Sequence, residues 1–382
     1  MAWRLRVLHG PLRALMGGIT MHWMIKRARC LLLLMPAFAL AMPAFANDRD
    51  PTLSDSQEPG SVIVFPKFIR GTVTVDGVAT PQTEIEYTVQ CPNVLEDTCP
   101  LHMPVMVRFH WVCPGSPTTC RETDFFIPST VNEKVVLTPN GAPFPGVTSP
   151  GTGQLAPMAE CPRGYLIGWV VNPTTLAPIR FDGLIGDAVL RVSGTAVAAY
   201  NAIPIQAAVG TSDGAPITLG AGGALVFDGL DNHYQAVTGN ILGDVKYVRE
   251  VGTGGTFNDT FLTLLTLDVL SNRTNTAVFV DFEFYGGFGS LIGNENELSA
   301  SVSFVCWQEF LLDTGIDANL NQTFMGRKGT FEGQATNPAG APVTLLGLVE
   351  VIEGPAPAPL DRSYITSLYN DSIPVPTSFV PH

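Results

Sequence analysis

The sequence predicts an all-β protein made of tandem antiparallel β-sandwich units, immunoglobulin-like or jelly-roll-like, behind a cleaved signal peptide. Three observations carry that expectation. The chain of 382 residues holds 31 prolines and 38 glycines; proline breaks helix interiors and central sheet ladders, so long helices are excluded. Charged residues are only 14% against 46% hydrophobic, which excludes disorder and coiled coil. Short apolar runs with period-two alternation recur between turn residues roughly every 8–15 positions, the rhythm of sandwiches and barrels.

Residues 1–46 read as the signal peptide. Arg4, Arg6, Arg13, Lys26, Arg27 and Arg29 precede the apolar run Leu31–Ala41, and Ala44-Phe45-Ala46 offers small residues for cleavage. Cys30 leaves with this segment. Six of the 21 basic residues and none of the 34 acidic ones lie in it, so the remainder has a net charge of −19. Such a field repels phosphate backbones, and nucleic acid is excluded as a partner. No transmembrane helix is expected in the mature chain.

Residues 47–60, rich in Asp, Pro and Ser, form a flexible leader. The first unit then spans residues 61–150. Val62, Val64 and Phe65 open a strand, and Asp76-Gly77 between β-branched residues marks a two-residue hairpin. Thr83–Val89 alternates, with Ile85, Tyr87 and Val89 on one face. Val105, Val107, Phe109, Trp111 and Cys113 share a face of the next strand. Asn140–Glu160, full of Gly, Pro, Thr and Ser, is the expected domain boundary.

The second, larger unit covers residues 151–354. Tyr165–Val171 reads as a strand buried on both faces, followed by Leu184–Val192. The Ala-rich stretch Gly194–Asn201 suggests one or two helical turns. Further strands are expected at Ala224–Phe227, Tyr234–Thr238, Asp244–Val248, Thr260–Val269, Ala277–Tyr285, Ser299–Trp307 and Val343–Val351. Residues 355–382 form a Pro-rich, peripheral tail. Thr260–Val269 and Ser299–Trp307 also fit an outer-membrane β-barrel loosely, and that is the alternative architecture.

Six cysteines remain in the mature chain: Cys91, Cys99, Cys113, Cys120, Cys161 and Cys306. An even count in an exported protein points to disulfides, and the spacings do not suit zinc. The expected pairs are Cys91 with Cys99, Cys113 with Cys120, and Cys161 with Cys306.

No H-E-x-x-H, phosphate-loop or G-x-G-x-x-G pattern occurs after the signal, and His102, His110, His233 and His382 lack triad spacing. Neither catalysis nor a cofactor is therefore expected. The carboxylate pair that fits acid/base chemistry is Asp281 and Glu283 in V-D-F-E-F-Y, about 7 Å apart on one strand face. Phe279 and Tyr285 share that face and would supply a sugar-stacking platform. Asp313, Asp317, Asn319 and Asn321 resemble the opening of a calcium loop, but Gln322 and Lys328 occupy the positions that need Gly and Glu. A looser calcium site there or at Asn294–Glu297 is the alternative. Trp111, Trp169 and Trp307 read as core packing beside disulfides.

S-V-I-V-F-P-K-F (61–68), C-P-R-G-Y-L-I-G-W-V-V-N (161–172) and F-D-G-L-I-G-D-A-V-L (181–190) resemble segments of uncharacterised secreted bacterial β-rich proteins, which carry a "VFP" strand after a signal peptide. The resemblance implies a shared β fold and export, and it transfers no functional residue. The function expected from the sequence is an exported, non-enzymatic surface, matrix or adhesion component, extracellular or at the cell surface, with the periplasm second. Its partners would be other copies of itself, surface proteins or glycans. The alternatives are a secreted carbohydrate-binding module or glycosidase and an outer-membrane barrel.

Overall fold

The computed structural model describes residues 58–91, 104–114, 119–141, 156–191, 197–208, 213–249, 256–270, 275–286, 298–316, 327–355, 361–368 and 374–381. Eleven strands build the first sandwich: β1 (Val62–Ile69), β2 (Thr72–Val75), β3 (Val78–Pro81), β4 (Thr83–Val89), β5 (Pro104–Pro114), β6 (Cys120–Thr130), β7 (Lys134–Leu137), β8 (Arg163–Val171), β9 (Leu184–Arg191), β10 (Val197–Asn201) and β11 (Ile203–Ile205). A five-stranded antiparallel sheet runs β11-β1-β8-β5-β6, a four-stranded one runs β10-β9-β4-β7, and β2 pairs with β3. Asp76 and Gly77 both take positive φ at the β2–β3 turn (49° and 81°), as a type I′ hairpin requires.

The two sheets clasp a core that includes Phe65, Tyr87, Phe109, Trp111 and Leu166. Strand β4 alternates buried and half-buried residues because only one of its faces meets this core. Strand β1, by contrast, is buried at all eight positions. Its sheet carries a second core on the opposite face, where Val62, Val64, Ile167 and Trp169 meet Phe227, Tyr234 and Phe379. That explains why V-I-V-F and Y-L-I-G-W-V-V are continuous apolar runs.

The remaining strands are β12 (Leu225–Phe227), β13 (Val237–Thr238), β14 (Asn240–Arg249), β15 (Thr256–Leu265), β16 (Val269–Leu270), β17 (Val278–Gly286), β18 (Ser299–Phe304), β19 (Trp307–Leu311), β20 (Arg327–Thr336), β21 (Leu346–Pro355), β22 (Asp361–Leu368), β23 (Pro374–Val375) and β24 (Thr377–Val380). An eight-stranded sheet runs β18-β17-β20-β14-β15-β21-β22, with β19 also on β15. Among the described residues, β14 and β15 pair through Val248 with Asn258 and Arg249 with Phe257. Around that corner the two halves share a third core containing Ile241, Leu262, Phe282, Phe331 and Val349. The other face of the β19-β15-β21 half contributes Leu265, Leu346 and Trp307 to the second core and Leu348 to the first.

An all-β, sandwich-type architecture is therefore present, but four expectations are corrected. The boundary near residue 150 fails because β8 lies between β1 and β5 while β9, β10 and β11 complete both sheets, so the first sandwich extends past it. The Ala-rich segment supplies strand β10, paired along β9, and no helix. The C-terminal segment is not peripheral: β24 pairs with β12 and β16, and Phe379 is fully buried. The disulfides join Cys113 to Cys161 and Cys120 to Cys306, with Cα separations of 5.6 and 6.2 Å. Cys113 and Cys120 are neighbours at the β5–β6 end, yet Cys113 points into the first core and Cys120 into the second. Side chains on opposite faces of a sheet cannot be bridged to each other. Cys91 is disulfide-bonded as well, and Cys99 lies outside the described residues.

Candidate functional site

Strand β17 brings Phe279, Asp281, Glu283 and Tyr285 onto one outward face, as the sequence spacing requires. Asp281 and Glu283 are exposed, Phe279 is 41% exposed, and the Tyr285 hydroxyl donates to Glu283 Oε2 at 2.6 Å. Glu283 faces Glu332 across β20 and Ser299 across β18, while Asp281 faces Gln334 and Ser301. The result is a flat acidic sheet surface with an aromatic residue at each end of the β17 row. Solvent reaches both carboxylates.

The calcium expectation falls mostly outside the described residues. Asp313 sits in the short π-helical turn Leu312–Ile316, and Asp317, Asn319, Asn321 and Asn294–Glu297 are not described. Among the described residues no group of three or more His, Cys, Asp or Glu side chains is placed to hold a metal ion. His102 and His382 are likewise outside them. His233 Nδ1 lies 2.9 Å from Asp228 Oδ1 in a surface turn. Trp111, Trp169 and Trp307 are buried, at 0%, 1% and 6% exposure.

Two buried polar clusters escape a reading by motif. In the first, His110 Nδ1 lies 2.6 Å from Glu122 Oε2, both side chains being wholly buried. The imidazole stacks on Trp169 at 4.8 Å between centroids and meets the edge of Phe379 at 5.8 Å. Burial pushes His110 below the usual histidine range, opposed by the hydrogen bond and charge of Glu122. Burial also raises the neighbouring Tyr165 hydroxyl, with the Glu122 charge acting in the same direction.

The second cluster forms where β1 meets the β19-β15-β21 half-sheet. A bulge between Phe65 and Phe68 puts Pro66 and Lys67 opposite a single step of β8, and proline's missing N–H is tolerated there. Trp307 Nε1 donates to the Pro66 carbonyl at 2.8 Å, and the Tyr200 hydroxyl donates to the Lys67 carbonyl. Held on both sides, Lys67 extends Nζ to Glu350 Oε2 on β21 at 2.7 Å and contacts Glu309 Oε2 on β19. Side-chain exposures are 3% for Lys67, 2% for Glu350 and 12% for Glu309. Arg163 takes the other Glu309 oxygen. Two cations and two carboxylates thus balance, which is the condition for burying charge.

The second cluster left a trace in the sequence. Lys67 is a lone charge in V-I-V-F-P-K-F-I and Glu350 a lone charge in L-G-L-V-E-V-I. A charge inside a doubly buried strand needs a partner from another element, and that is a stronger pointer than exposed carboxylates in alternation. No protein-family model matches the chain, and no curated protein is significantly similar to it.

Proposed function

We propose that the protein is an exported structural component of the cell surface or extracellular matrix, acting through its faces and edges, with no catalytic role. The supporting observation is the disulfide placement: Cys113–Cys161 sits in the first core and Cys120–Cys306 ties strand β6 to the turn before β19. Such bonds form and persist in oxidising compartments. The signal-like residues 1–46 point the same way, and no helix among the described residues is long and apolar enough to cross a membrane.

The test is fractionation of expressing cells with thiol labelling and protease added to intact cells. Expected are oxidised cysteines and a protein cleaved or released by external protease. A protein with free thiols retained in the cytosol overturns the reading, and a protease-protected periplasmic monomer overturns the surface assignment.

A second reading, glycan adhesion, is favoured by the β17 row, where exposed Phe279 and the Tyr285–Glu283 pair flank Asp281. Aromatic faces and acceptor carboxylates suit sugar hydroxyls and C–H faces. Glycan-array binding that is lost in Phe279→Ala with Asp281→Ala would support it, and an array without signal would dismiss it.

A further inference from the structure

We propose that Lys67 and Glu350 are a site of spontaneous covalent cross-linking, forming an intramolecular amide between Nζ and Cδ with Glu309 as proton carrier. The inference goes beyond the surface role and is tested by mass, so the two stand or fall separately. Nζ lies 2.7 Å from Glu350 Oε2 in an interior where both side chains are almost wholly buried. Holding two reacting groups in contact makes a bimolecular condensation intramolecular, with a correspondingly large effective concentration.

Each part the reaction needs is supplied by a separate element. The bulge in β1 aims Lys67, and Tyr200 and Trp307 fix its backbone so that the amine cannot swing to solvent. Arg163 holds one oxygen of Glu309 and leaves Oε2 against Nζ.

In the first step a proton passes from the ammonium to Glu350, giving a neutral amine and a neutral acid. Nζ then attacks Cδ, and Glu309 Oε2 takes a proton from the nitrogen and returns it to the departing hydroxyl. The C–N bond forms, the Cδ–O bond breaks, and one water leaves. Nothing is oxidised or reduced. Expelling that water from an apolar core opposes the reverse hydrolysis. The product would join the first sandwich to the second across 283 positions of sequence, a covalent tie that reductants do not open.

The experiment is intact-mass measurement of the purified mature protein, reduced and denatured, with its N-terminus defined by sequencing, followed by protease digestion. The expected result is a mass one water below that of the fully reduced chain, together with a branched peptide containing Lys67 and Glu350. Lys67→Arg should restore the full mass, and Glu309→Gln should abolish or greatly slow the loss of water. Wild-type protein at full mass, with linear Lys67 and Glu350 peptides, overturns the proposal. So does a water-deficient mass that persists in Lys67→Arg. The wild-type measurement decides the question even where a variant does not fold.

Discussion

Gly168 stands directly opposite Phe109 in the β5–β8 pairing, and a Cβ at that position would lie 2.3 Å from the phenyl ring. The ring is fully buried and already packed against Tyr87 and Phe125. Gly168→Ala therefore overpacks the first core and should cost about 1–3 kcal/mol, read as a lower urea midpoint with the disulfides intact; an unchanged midpoint would mean that Phe109 moves aside freely. His110 makes a prediction of a different kind. Its folded pKa is lowered by burial, so on acidification the unfolded chain takes up a proton that the folded one refuses. Its contribution is complete above about pH 6.5 and declines below it. Glu122, Arg108 and Asp124 are the charged groups acting on the ring. Asp182 and Asp268, raised by burial, act in the opposite direction at lower pH, so the comparison must be against a variant. Thermal midpoints of wild type should fall between pH 7.5 and 5.5 more steeply than those of His110→Gln. Equal slopes would remove His110 as the cause.

Strand ends and corners decide how the elements are tied. Cys120 begins β6 and Cys306 precedes β19 with φ of 63°, and their bond spans 186 positions. In the chain-entropy model a loop of that length is worth about 5 kcal/mol. Cys120→Ser with Cys306→Ser should therefore lower unfolding stability by several kcal/mol, with the β14–β22 sheet most affected in hydrogen exchange; protection lost equally everywhere would contradict that locality. Much of the element inventory was legible beforehand. The Asp76-Gly77 hairpin, the alternation of Thr83–Val89 and the doubly buried Tyr165–Val171 follow from local chemistry, which acts over two to seven residues. What was not legible depends on which face a strand shows to a distant partner. Cys113 and Cys120 look like a local pair until the pleat sends them into different cores. Alanines at 198 and 199 permit helix by propensity, but pairing with Leu190 and Val189 makes them strand. The polar β6 segment R-E-T-D shows no apolar period because the side chain it buries is Glu122, partnered by His110 from β5. The site residues divide the same way: Asp281 and Glu283 share a face as their spacing dictates, whereas Lys67, Glu309 and Glu350 meet only through non-local pairing.

At the scale of the whole molecule, the five-stranded sheet is the shared wall of two cores. The face that carries Phe65, Phe109 and Trp111 closes the first core with β4 and β9, and its other face closes the second with β12, β24 and the ends of β15 and β21. Opening the first core would leave Phe65 facing water, and opening the second would do the same to Val62, Val64 and Trp169. At roughly 25 cal/mol per Å² of apolar surface, that exposure is a cost neither half can bear alone. The ion cluster at Lys67 adds a second coupling, because separating the sandwiches strands a buried cation and a buried carboxylate without each other. Unfolding of residues 58–381 should therefore be one cooperative event despite the chain's length. Scanning calorimetry should give a single peak whose van 't Hoff enthalpy matches the calorimetric one. A chain cut to residues 61–150 should remain unfolded, because it lacks β8 between β1 and β5 and lacks β9 beside β4. Two resolved calorimetric peaks, or a folded 61–150 fragment with dispersed amide resonances, would show that the shared sheet does not couple the halves.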